Sequence, residues 1–119
     1  MPNPESQVAI SLTITELLSH AESCDTAALI QAQKELKEHH LFVEMHQENT
    51  ETLWLIHEEK PMGIGLIAIR CGKAKPVILQ APHAIHDLWT GAIVRTLFVS
   101  TPFRMAMWNT VHRYRSTEG

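Results

Sequence analysis

A chain of 119 residues with a net charge of −3 is the size of one domain with a modest core. Its 45% hydrophobic and 19% charged content excludes a disordered polymer. The lack of a basic excess excludes electrostatic recognition of nucleic acid or an anionic membrane. No apolar run reaches the ~20 residues of a transmembrane helix. The opening M-P-N-P-E-S-Q lacks the basic-then-apolar order of a signal peptide, so a cytoplasmic protein is expected. Cys24 and Cys71 stand far apart and outside any C-x-x-C pattern, and they read as idle thiols in a reducing compartment.

In chain order, residues 1–12 read as a loose lead-in. Thr13-Ile-Thr-Glu16 has the form of a capping box, with Ile14, Leu17, Leu18 and Ala21 following at helical spacing. Asp25 is a natural N-cap for a second helix over Thr26–His39, with Leu29, Ala32 and Leu36 on one stripe. From Leu41 the period becomes two: Leu41, Val43 and Met45 alternate with Phe42, Glu44 and His46. Leu53–Glu58 and Ile64–Arg70 read as two further strands, separated by turns at Asn49–Glu51 and Lys60–Gly63. Short links predict an antiparallel meander. After the Gly72–Pro76 turn, Val77–Ala81 is nearly all apolar, as a central strand covered on both faces should be.

A helix over Leu88–Val99 then separates Val77–Ala81 from a last strand at Met105–Asn109. A strand–helix–strand unit of this length predicts a parallel crossover. The fold class expected is α/β: two N-terminal helices, then a mixed sheet with an antiparallel meander followed by a parallel β-α-β unit. The chain reads as a single domain over 1–119. It stops soon after the last strand, as the N-terminal part of a longer hydrolase fold would.

Two polar clusters follow the paired strands. Pro82 halts the first strand, and His83, His86 and Asp87 come within the next five residues. Imidazole nitrogen and carboxylate oxygen are the usual protein ligands of a catalytic zinc ion. His83 and Asp87 are therefore candidate metal ligands, and His86 is an alternative ligand or a second donor. Asp87 also stands where the helix needs an N-cap. At or after the end of the second strand come Asn109, Thr110, His112 and Arg113. Here His112 is a candidate catalytic base, and Arg113, with Asn109, a candidate clamp for a substrate carboxylate. Parallel pairing would bring both clusters to the carboxyl edge of the sheet, where open α/β folds bind ligands. In that geometry His83 and His112 lie within ~15 Å of each other, since zinc–ligand bonds are only about 2 Å long.

The succession of a strand, P-H-x-x-x-D-x-x-T-G, an amphipathic helix, a strand and N-T-x-H-R resembles zinc-dependent amidohydrolases of the N-formylglutamate amidohydrolase type. Those enzymes are similar in turn to the zinc carboxypeptidase fold. The resemblance covers about Gly63–Arg115. It implies zinc as cofactor, His83 and Asp87 as ligands, and Arg113 on the carboxylate of a small-molecule or peptide substrate. It also implies a further histidine ligand and a catalytic carboxylate from later strands.

Other motifs are absent or misplaced. There is no G-x-S-x-G elbow, and Gly63-Ile-Gly65 sits between a turn and a strand rather than between a strand and a helix. His20, His39, His40, His46 and His57 have no partner at ligand spacing and read as structural. The alternative to an enzyme is a noncatalytic globular domain or protein-interaction module. In that case the apolar residues of the predicted helix, among them Trp89, Ile93 and Phe98, would form a partner face and allow a homodimer.

Overall fold

The first helix begins well before the Thr13 pattern. The computed structural model describes residues 3–48, 50–60, 65–81, 98 and 100–108. In it α1 spans Pro4–Ser19, with Asn3 as N-cap accepting a hydrogen bond from the Ser6 backbone N–H at 2.8 Å. Proline at the first helical position loses nothing, because that N–H has no intrahelical acceptor. The lead-in and the capping box are therefore corrected. Thr13 lies mid-helix and nearly buried, so it satisfies its hydroxyl sideways rather than capping a terminus.

Helix α2, Thr26–Lys37, starts where Asp25 predicts; the Asp25 carboxylate accepts from the backbone of Ala27 and Ala28. Five strands follow: β1 Leu41–Glu48, β2 Glu51–Glu58, β3 Leu66–Arg70, β4 Lys75–Ala81 and β5 Phe103–Trp108. They form one mixed sheet in the order β1-β2-β3-β5-β4. β1, β2 and β3 make the antiparallel meander, and β4 and β5 pair in parallel. The α/β class with two leading helices stands as predicted. Of the predicted crossover helix, Phe98 is described and is helical, as is Ser100 just past the predicted end; residues 88–97 and 99 lie outside the described residues.

One placement differs from expectation. β5 pairs antiparallel with β3 and so comes between β3 and β4. The apolar run of β4 thus belongs to an edge strand of the described sheet. Val77 is 40% and Ile78 51% exposed. Lys75, Pro76 and a register shift between Lys75 and Ile78 mark this edge, all common devices for blunting an open strand.

The two faces of the sheet are covered differently. Leu41, Val43, Trp54, Ile56, Ile67, Ile69 and Met105 pack with Ile10, Leu17, Ala21, Leu29, Ala32 and Leu36 of the helical layer. On the other face Leu53, Ala68 and Ala106 meet Phe98, which is 1% exposed. Phe98 is therefore a core residue and not part of an open partner face.

The reading of the cysteines as idle thiols is overturned. Cys24 and Cys71 are bonded, with Cα atoms 5.1 Å apart across 47 positions of sequence. Cys24 sits in the corner between α1 and α2 at φ 53°, and Cys71 directly follows β3. Beside them the Gly72 N–H donates to the Ala21 carbonyl at 2.8 Å. Gly72 has φ +87°, a conformation that side chains disfavour. Together these links pin the helical layer to the middle of the sheet.

Candidate functional site

The parallel pair sets the site's frame. Ala81 lies opposite Trp108, Gln80 opposite Met107 and Leu79 opposite Ala106. Neighbouring strands run ~4.8 Å apart, so the chain leaves β4 and β5 from adjacent points on one sheet edge. β3 enters the sheet at the same edge, since Leu66 is opposite Trp108. The strand ends thus converge as the crossover predicts. His83, His86 and Asp87, and Asn109, His112 and Arg113, lie outside the described residues. What is positioned is the pair of strand ends from which both segments depart.

Arg70 fixes how β5 enters, and it is the residue that sequence reasoning passed over. It ends β3 on the face where Phe98 packs, and its side chain is 1% exposed. Its guanidinium donates to the Thr101 carbonyl at 2.9 Å, to the Phe103 carbonyl at 3.0 Å and to the Phe98 carbonyl. It pairs with Glu51 at 2.9 Å and lies over the Phe98 ring, 4.6 Å from its centroid. Arg104 reaches back to the Arg70 carbonyl. Helix ends leave carbonyls without intrahelical donors, and a planar five-donor fork can serve several at once. Arg70 therefore ties the last helical turn and the start of β5 to the middle of the sheet. No local pattern marks it, because a charged residue at a strand end ordinarily points to solvent.

Three of the histidines read as structural pair with carboxylates. His40 Nδ1 is 2.9 Å from Glu59, at the edge where β4 and β5 end, and both side chains are largely exposed. His57 faces Glu44 at 3.6 Å and stacks at a tilt on Phe42. His20 lies between Glu16 at 3.2 Å and Asp25 at 3.4 Å. Among the described residues, no three His, Cys, Asp or Glu side chains are grouped to hold a metal ion.

A groove of about 250 Å³ between α1 and α2 is lined by Thr13, Glu16, His20, Asp25, Gln31 and Glu35, among others. There the Gln31 amide donates to one Glu35 oxygen at 3.0 Å and the Thr13 hydroxyl to the other at 2.9 Å. These bonds, Gln31 first, hold the Glu35 carboxyl below the ordinary value of 4.5. A depressed carboxylate contributes stability that is present above its unfolded pKa and lost as pH falls through the folded value. This contribution should therefore disappear in acid, below about pH 4.5. Thr13→Val removes one donor, so Glu35 should titrate at higher pH. Carboxyl-carbon NMR titration checks this; an unmoved Glu35 midpoint would remove Thr13 as a cause.

In comparisons with known proteins, no family model matches the chain, and no curated protein or solved structure matches it either. Among the described residues no helix is long and apolar enough to cross a membrane.

Proposed function

We propose that the chain is a metal-dependent hydrolase-like domain acting on an amide or peptide bond, in the manner of a zinc-dependent amidohydrolase or peptidase. The observation that carries this reading is the parallel pairing of Ala81 with Trp108. It supports one shared edge for the two polar segments. The donor set His83, Asp87 and His86 fits zinc, which favours imidazole and carboxylate ligands. When bound, such a metal supplies an acidic water and polarises a carbonyl. In this reading His83 and Asp87 hold the ion, with His86 as a further ligand or a donor to one. His112 takes the proton during attack. Arg113, steadied by Asn109, anchors the substrate carboxylate with a two-pronged hydrogen bond.

Zinc titration of the purified chain tests the proposal. One equivalent should bind and raise the melting temperature, because a ligand selective for the native state stabilises it by mass action. His83→Ala and Asp87→Ala should each weaken binding about tenfold or more. Hydrolysis of N-acyl amino acids, lost on Arg113→Ala, would extend the test to substrate. A chain that takes up no zinc and shows no thermal shift would remove the metal reading.

A second reading, a noncatalytic protein-interaction module, is favoured by β1, an edge strand of the described sheet whose outward backbone groups can pair with another chain. The net charge of −3 gives no reason to add nucleic acid or membrane as partners. For the compartment, the bonded Cys24–Cys71 pair outweighs the argument from cysteine spacing and favours oxidising surroundings over the cytoplasm.

A further inference from the structure

The two edges of the described sheet are unlike. β4 carries a lysine, a proline and a register shift, which blunt it. β1 is eight residues long and pairs with β2 throughout without a shift. It holds no proline or lysine, and Met45 is 58% exposed. Backbone bonding shows which of its groups face outward. The His40 carbonyl accepts from the Glu59 N–H across the β1–β2 ladder, and the Val43 carbonyl accepts instead from the Gln33 side chain at 3.0 Å. In an antiparallel ladder the bonding direction alternates by residue, so Met45 and Gln47 aim their N–H and C=O groups away from β2.

We propose that β1 pairs antiparallel with β1 of a second copy of this chain, centred on Met45, to make one sheet through a twofold axis. The alternation of glutamate and histidine along the strand selects this register. Centring on Met45 places Glu44 opposite His46 of the second copy, and His46 opposite its Glu44. Shifting the centre to Glu44 opposes two glutamates, and shifting it to His46 opposes two histidines. Two carboxylates opposite each other oppose pairing, whereas a carboxylate opposite an imidazole can share a hydrogen bond. The Met45 residues then exchange both backbone hydrogen bonds, and their side chains meet on the helix-bearing face.

The helices leave room for this. Gln33 fixes α2 over the Val43 end of β1, and the antiparallel register sets the two Val43 positions four residues apart along the strands. That is about 13 Å, more than the 8–10 Å at which helices pack. A groove of about 510 Å³, lined by Gln33, Lys37, Leu41, Phe42, Val43, Glu44 and His57, runs along this edge. It lies where Gln47 of the second copy would enter. The Val43 carbonyl has a second lone pair, so it can accept from that strand while retaining Gln33.

Sedimentation equilibrium of the full chain tests the proposal. Its mass should rise with concentration toward twice the 13.5 kDa of one chain. Met45→Pro removes an outward N–H without touching the ladder to β2, a placement edge strands tolerate. It should weaken association about thirtyfold, the effect of two lost hydrogen bonds. Glu44→Lys should also favour the monomer, and adding His46→Glu in the same chain should restore the dimer by reversing every cross-pair. This charge series keeps the test decisive if the proline variant misfolds. A strict monomer, a dimer indifferent to Met45→Pro in a folded variant, or a double variant that stays monomeric would each overturn the proposal.

Discussion

Replacing Arg70 with methionine is expected to destabilise the fold by about 3–5 kcal/mol, since it leaves three carbonyls without their charged donor at roughly 1–3 kcal/mol each. Methionine keeps much of the side chain's apolar volume but offers no donor. The carbonyls of Phe98, Thr101 and Phe103 lose their shared guanidinium, and Glu51 loses its cation. Unpaired buried carbonyls are costly because no water replaces the lost bond. Glu51→Gln should cost much less, about 1 kcal/mol or below, since the Glu51 side chain is 39% exposed and screened by solvent. Urea denaturation of the two variants separates the cases. Equal midpoints would mean that the ion pair, rather than the carbonyl contacts, carries the effect.

The Cys24–Cys71 bond is the second large term. Cys24→Ser paired with Cys71→Ser should lower stability by about 2–4 kcal/mol, because a long loop left open gives the unfolded chain more freedom. Reductant added to the wild-type chain should lower its denaturation midpoint to that of the double variant. Alkylation followed by mass spectrometry should label no cysteine before reduction and both after it. Labelling of both thiols in the unreduced, folded protein would show that the bond does not form.

The elements whose side chains repeat along one face were legible in the sequence. Alternation at Leu41, Val43 and Met45 gave β1, and Asp25 with Leu29, Ala32 and Leu36 gave α2. α1 was misplaced because two start signals compete near the N-terminus. Thr13 and Glu16 match a capping box, yet Asn3 and Pro4 supply the cap and first turn that form. The position of β4 was misread because apolar content was weighed above Lys75 and Pro76, which carry the edge signal. Arg70 and the cysteines escaped for a different reason. Their partners lie 19 or more positions away, so they become neighbours only once the sheet has closed. Of the candidate site, the parallel pairing was legible from the strand–helix–strand rhythm, and it brings the ends of β4 and β5 together.

The strand order also has a consequence for how the chain is made. β1, β2 and β3 follow one another in sequence and in space, so each can pair as soon as it leaves the ribosome. β4 is synthesised next but, among the described residues, pairs with no strand except β5, which comes more than twenty residues later. Until Phe103–Trp108 emerges, the apolar run of β4 has no ladder to join. Closing that separation costs chain entropy before any pairing rewards it. A nascent chain arrested before Phe103 should lack two strands, not one. Hydrogen exchange pulsed during refolding should protect β2 and β3 ahead of β4 and β5, the last pair to close.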